Sequence, residues 1–221
     1  ARQRAAAFDI PNAYADARTM IEREDLDAID IVSPVSTHAE LCRLGAEFQL
    51  AIMCQKPLSE SAAEARSLLE FMEDAVPFKV HENWRFRPEY RRVKRDLGEN
   101  RLGCLQRVSL DCSSSGLIQR SDGSYPAIVR QPFFAKLPRL IVFELLIHHL
   151  DLITWLFGPV TVNRAALSRR CAAVIGEDVA EIELLTASGV SVRLTGSFCR
   201  AEKPEIPTDD LVIVGEQSTL R

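Results

Sequence analysis

The sequence is short of several things that would classify it at once. Its six cysteines stand at 42, 54, 104, 112, 171 and 199 with no Cys-x-x-Cys pair, and only Cys104 and Cys112 lie close together. They read as reduced, mostly buried thiols of a cytoplasmic protein rather than a disulfide frame or a zinc site. The four histidines, His38, His81, His148 and His149, form no zinc-finger spacing with them, so no metal is expected. There is no excess of positive charge: 27 Lys and Arg stand against 31 Asp and Glu, a net charge of -4. A sequence pI near 5.7 argues against a general nucleic-acid binder. No apolar run suits a bilayer, since the oiliest stretch, residues 140–147, already holds Glu144. No hydrophobic signal core follows the opening Ala-Arg-Gln-Arg, and no repeat, low-complexity tract or long charge run is visible.

What is there is an ordinary globular composition, 47% hydrophobic and 26% charged over 221 residues, enough chain for a real core. The first part alternates. Apolar strands are expected at 28–33, 50–54 and 78–81, with helices at 38–48 and 62–75 between them. Thr37 and Ser61 are the expected N-caps. Strand–helix–strand spacing of this kind implies parallel pairing in a doubly wound α/β layer, which binds ligands at the carboxyl ends of its strands. The second part changes character. A helix is expected at 88–97 and a strand at 105–112. An aperiodic stretch at 113–138 follows, then one helix at 141–157 ended by Gly158-Pro159. Strands are expected near 160–167, 180–186, 190–198 and 211–214, with a hairpin turn at Ala187-Ser-Gly189. The fold class read from this is α/β for residues 1–84, joined to an α+β domain with an open, mainly antiparallel sheet at 85–221.

A nucleotide-binding sheet normally carries a Gly-x-Gly-x-x-Gly turn after its first strand. The ten glycines here are too scattered to make one. The chain opens without Met, inside an expected helix, and stops where another strand is starting. This fits a chain whose beginning is missing.

Three clusters carry chemistry. They are Ser33-Pro34-Val35-Ser36-Thr37-His38, then Cys54-Gln55-Lys56-Pro57-Leu58, then Glu144 to Asp151. On a regular helix Glu144 and His148 share a face, with Asp151 three residues further on. Such a polar stripe on an oily helix is costly unless partnered or used. Each element also has a plainer reading. Lys56 can be a turn lysine, His148 a core histidine bonded to Glu144, and His38 a residue that caps or lines its helix. His149 points to another face and reads as structural. Ser33-Pro34 can be no more than a strand end.

Taken together, the order of Ile31-Val-Ser-Pro-Val-Ser-Thr-His38, Met53-Cys-Gln-Lys-Pro-Leu58, Glu82-Asn-Trp-Arg-Phe-Arg-Pro-Glu-Tyr90 and His148-His-Leu-Asp-Leu152 with Trp155-Leu-Phe-Gly158 resembles the Gfo/Idh/MocA family, over essentially the whole chain. The resemblance implies a Rossmann domain lacking its first βαβ unit, roughly 40 residues, and an incomplete C-terminal domain. It implies NAD or NADP as cofactor and hydride transfer with a sugar, cyclitol or related polyol. Lys56 then orients the reacting hydroxyl, His148 is the general base, and Glu144 stands where the family's helix has Asp. Ser33, Pro34, His38, Gln55, Lys56, Asn83 and Arg85 are implied cofactor contacts, with Gln55 in place of the family's usual Glu. Lys56, His148, Asp151 and Arg85 are implied substrate contacts, and Arg130 and Gln131 weaker ones. The chemistry stands on its own terms: a base that titrates near neutrality suits the proton left by hydride loss, and a nearby ammonium favours a developing alkoxide. A homo-oligomer, dimer or tetramer, built through the C-terminal sheet is also implied. Two other functions within the family compete: a non-catalytic sugar- and nucleotide-sensing regulator, and an NAD-dependent glycosidase.

Overall fold

A computed structural model describes residues 2–221 and divides into two compact units, one reaching to Glu82 and one running from Asn83 to Arg221. The first opens with helices α1 (Arg2–Ala7) and α2 (Ala17–Arg23). Asp16 caps α2 by accepting the Thr19 N–H at 2.7 Å. Strands β1 (Ala28–Ile31), β2 (Ala51–Gln55) and β3 (Phe78–His81) pair in parallel in that order. Helices α3 (His38–Glu47) and α4 (Ala62–Met72) make the crossovers. Ile31, Cys42, Ile52, Cys54 and Leu68 form the buried core between sheet and helices. Gly45 lets α3 lie close, since a Cβ there would stand 2.6 Å from the Ile29 Cδ1. Ser61 caps α4 as its sequence position predicts. Thr37 does not cap α3: its hydroxyl turns back to the Pro34 carbonyl at 2.8 Å and to Ser33 Oγ at 2.6 Å.

The second unit is a six-stranded mixed sheet. Its strands are β4 (Leu105–Ser113), β5 (Val160–Ser168), β6 (Val179–Thr186), β7 (Ser191–Ser197), β8 (Thr208–Gly215) and β9 (Thr219–Leu220), in the order β5-β6-β7-β4-β8-β9. Only the β4–β7 pair is parallel, so the sheet is mainly antiparallel. Gly189, at φ +83, turns β6 into β7. Helices α5 (Pro88–Gly98), α6 (Pro126–Arg130) and α7 (Ile147–Phe157) accompany the sheet. Leu110, Leu146, Leu152, Leu184, Leu194 and Ile213 belong to the buried core of the unit.

Two expectations change here. The aperiodic stretch 113–138 contains α6 and a 3-10 turn, Pro132–Lys136, each opened by a proline that fixes φ for a first turn. The helix expected at 141–157 is not regular. Its first turn, Val142–Leu146, is a π-helix, and the α-helix begins at Ile147. Glu177 Oε1 accepts the Leu140 N–H at 3.1 Å, and the Glu177 carbonyl accepts that of Ile141 at 3.0 Å, so the opening amides are anchored from outside the helix. Leu146 fills the space left by Gly196 of β7, where a Cβ would lie 2.8 Å from the leucine Cδ2.

Candidate active site

In the first unit the polar residues gather at the carboxyl ends of the parallel strands. Gln55 ends β2 and His81 ends β3, and the sheet register pairs them. The Gln55 Oε1 accepts the Lys56 N–H at 3.1 Å, which leaves its Nε2 facing His81 Nδ1 at 3.0 Å. An amide nitrogen donates, so His81 Nδ1 is the accepting nitrogen and a neutral ring carries its proton on Nε2. Lys56 is half-buried and joined to Pro57 by a cis peptide bond. His38 is 1% exposed, with Nδ1 at 3.0 Å from the Pro57 carbonyl and Nε2 at 3.0 Å from the Ser33 carbonyl. Both neighbours are carbonyl acceptors, so a neutral ring, with its single N–H, donates to one of the two segments that follow β1 and β2 and lies against the other. Ser33 is half-buried and Pro34 exposed. The set fits a dinucleotide in kind, with hydroxyl, amide and ammonium groups along the carboxyl edge of a parallel sheet.

In the second unit the polar residues come from the turn Trp84–Phe86, from the π turn and α7, and from the start of β8. His148 is 7% exposed and stacks flat on Trp84, centroids 3.9 Å apart and planes 9° from parallel. The Arg87 guanidinium carbon lies 3.5 Å from the indole centroid. Two groups this close to one ring cannot share a face, so the indole is held between guanidinium and imidazole. One turn on from His148, Asp151 is gripped by Arg85 through two bonds, Nε to Oδ2 at 2.5 Å and Nη2 to Oδ1. That fork fixes the carboxylate while leaving lone pairs for a hydroxyl. Glu144 lies in the π turn, so its four-residue spacing from His148 is not that of a regular α-helix. Asn83, exposed, starts the 3-10 turn and accepts the Phe86 N–H at 3.0 Å. Arg130 is exposed and Gln131 half-buried at the end of α6.

The sequence reading missed Asp209. Its Oδ1 accepts His149 Nε2 at 2.8 Å, and its Oδ2 accepts the Tyr90 hydroxyl at 2.5 Å and the Trp84 Nε1–H at 3.3 Å. His149 is fully buried, and its Nδ1 meets the Leu145 carbonyl at 3.2 Å. Burial pushes the Asp209 carboxyl up, but bonds from His149, Tyr90 and Cys112 outweigh it and hold it well below the usual carboxylate range. Burial first, then the same carboxylate, pushes the Tyr90 hydroxyl and the Cys112 thiol up. Cys112, His149 and Asp209 have ligand atoms within 4.8 Å of one another. Asp209 accepts from N–H and O–H donors on Trp84, Tyr90 and His149, so the cluster is a hydrogen-bonded knot. A signal for it existed. Alternation along β8 puts Asp209 in phase with Leu211 and Ile213, but the strand was expected to start only at 211.

A family model described as "Oxidoreductase family, NAD-binding Rossmann fold" matches residues 1–76, and one described as "GFO/IDH/MocA C-terminal domain" matches residues 90–221. The chain belongs to the GFO/IDH/MocA family. Among curated relatives, it is 38% identical to a D-apiose dehydrogenase of Paraburkholderia graminis over 97% of this chain and 56% of the relative. It is 30% identical to an inositol 2-dehydrogenase of Rhizobium meliloti over 87% of this chain and 58% of the relative. Among solved structures, an oxidoreductase from Agrobacterium radiobacter in complex with NAD+, L-tartaric acid and magnesium superposes with a TM-score of 0.90 at 27% identity, covering 100% of this chain and 62% of that one. The chain thus spans little more than half the length of the curated relatives it matches. Among the described residues, no helix is long and apolar enough to cross a membrane.

Proposed function

We propose that the protein carrying this chain is an NAD(P)-dependent oxidoreductase that moves a hydride between a nicotinamide and a CH–OH carbon of a sugar, cyclitol or related polyol. One observation carries the assignment: a buried imidazole, His148, set flat on an indole and one helical turn from a carboxylate clamped by Arg85. That is a prepared base beside a prepared hydroxyl acceptor, as alcohol oxidation requires. The family and its dehydrogenase relatives support it.

In this reading residues 1–84 form the cofactor half and 85–221 the substrate half. Ser33, Pro34, Gln55, Lys56, Asn83 and Arg85 line the cofactor, and His38 holds the edge on which the first four sit. The bound nicotinamide supplies the hydride acceptor. Lys56 donates a hydrogen bond to the reacting hydroxyl oxygen and favours its developing negative charge. His148 accepts the hydroxyl proton at a ring nitrogen, with Glu144 orienting the ring. Asp151 accepts a bond from a second substrate hydroxyl, and its fork to Arg85 keeps that acceptor in place. A sensing regulator needs no base, so His148 and Lys56 together disfavour that alternative. The apolar residues exposed on β5 and β6, Val162, Leu167 and Leu185, support self-association through this sheet. The free thiols support a cytoplasmic setting.

The test is turnover of the full-length protein with sugars and cyclitols, read as NAD(P)H absorbance. Lys56→Met and His148→Ala are expected to abolish hydride transfer while cofactor titration is unchanged. Near-normal turnover in both variants would overturn the assignment. Hydrolysis of an aryl glycoside without net cofactor change would favour the glycosidase reading.

A further inference from the structure

We propose that Asp209 is a positioning residue: through the indole of Trp84 it fixes the plane in which His148 presents its ring. The proposal deepens the reading of His148 as the base and rests on it. The observations form a chain of contacts within one unit. Asp209 Oδ2 accepts the Trp84 Nε1–H at 3.3 Å. Trp84 in turn carries the His148 ring at 3.9 Å, planes 9° apart. An indole that could spin about its own side-chain bonds would give the imidazole no fixed floor. The bond to Asp209 removes that freedom from one edge, and the Arg87 guanidinium, 3.5 Å from the ring centroid, presses on the other face.

Asp209 is itself immobilised. His149 at 2.8 Å, Tyr90 at 2.5 Å and Arg87 at 3.7 Å hold the carboxylate from α7, α5 and the turn before α5. His149 is adjacent to His148 and also meets the indole edge-on, centroids 6.0 Å apart. Adjacent histidines thus divide the work. One is locked to the carboxylate at the start of β8, and the other is left to present its ring on the platform the first helps to build. The ionisable groups around His148 and its platform are Glu144 and Asp151 on its own helix, Arg85, Arg87 and Tyr90 from the preceding segment, and Cys112 and Asp209 from the sheet.

Trp84 supplies the reporter. This chain has two tryptophans, Trp84 and Trp155, so Trp155→Phe, with any tryptophan outside the chain also changed to Phe, leaves Trp84 as the sole reporting indole. A protonated imidazole stacked on an indole quenches its emission, so Trp84 fluorescence in the full-length protein should titrate with His148, and His148→Gln should abolish that titration. In the same background Asp209→Ala is expected to shift the emission maximum, weaken the titration and lower kcat up to about 100-fold with little change in KM. Asp209→Asn, which keeps an acceptor for the indole N–H, should recover a large part of kcat. Trp84→Phe removes the bond to Asp209 without opening the knot around His149. It should lower kcat and displace its pH profile even if Asp209→Ala proves too unstable to assay. An unchanged titration and kcat in folded Asp209→Ala, or a Trp84→Phe profile identical to the parent, overturns the proposal. Failure of the underlying reading looks different: His148→Gln would then retain turnover while the fluorescence titration still disappeared.

Discussion

The two units hold their polar groups by different means. In the first, the groups at the strand ends are tied to the main chain and to one amide: His38 to the carbonyls of Ser33 and Pro57, Gln55 to the Lys56 N–H and to His81. In the second, they are tied to charged side chains: Asp151 to Arg85, and Trp84, Tyr90 and His149 to Asp209. Ties to main-chain carbonyls and to an amide bring strand ends into place without a paired side-chain charge. A carboxylate hub orders several side chains at once but depends on staying ionised. In the proposed reading the first arrangement serves a cofactor edge, and the second a proton-accepting site whose ring planes must be fixed.

The contrast can be broken by substitution. Asp209→Ala is expected to have the largest effect on stability, about 4 kcal/mol in urea unfolding of the second unit, because it leaves His149 and Arg87 without their anion. His38→Gln, which gives up at most one neutral hydrogen bond, should cost about 1.5 kcal/mol in the first unit. If the two costs came out equal, the distinction between the units would fail.

Close approaches sharpen it next. A Cβ at Gly215 would lie 2.2 Å from the Leu102 carbonyl oxygen, whereas one at Gly45 meets only the tips of Ile29 and Ile52. Gly215→Ala should therefore cost about 3 kcal/mol and Gly45→Ala about 1 kcal/mol by thermal unfolding. Backbone cannot step aside as a flexible side-chain end can.

Acid should separate the units by pH. Asp209 titrates below its ordinary value of 3.8 in the folded chain, so the folded state binds fewer protons than the unfolded one. Its contribution is whole above that ordinary value and is lost as pH falls from there toward the depressed folded value. The stability gap between parent and Asp209→Asn should accordingly be constant from pH 7 to about 5 and shrink below about 4. A gap that widened on acidification would contradict the direction of the shift. The smallest effect is expected for Arg85→Lys. The pair is part-exposed, with side-chain accessibilities of 40% and 23%, so stability should fall by less than about 1 kcal/mol. If the proposed function holds, KM for the substrate should still rise a few-fold as the fork is lost.

Much of this was legible in the sequence. Residues 28–81 announce their parallel layer through short apolar runs, the Ser61 cap and proline breakers, because each strand there is a short run of neighbouring residues and each helix is local. Glu144, His148 and Asp151 stood out as polar residues on an otherwise apolar helix, and Lys56 as a cation at a strand end before Pro57. The π turn at Val142–Leu146 was not legible, since its local sequence is that of any oily helix and the outside anchor, Glu177, lies 35 residues beyond Val142. Asp209 was hidden for a related reason. Its partners come from positions 60 to 125 residues away, and no local period reports such a meeting.

By itself the sequence determined most of the regular helices and strands, the doubly wound character of the first unit, the sheet-forming character of the second, and the residue types able to bind a hydroxyl and take its proton. These follow from short-range rules of backbone conformation and from which side chains avoid water. Only the tertiary structure decided that an indole lies under His148, that Arg85 closes on Asp151, and that Asp209 gathers three donors from distant segments. Such contacts are fixed when the sheet and its helices pack, because only then does burial force each remaining polar group to find its partner.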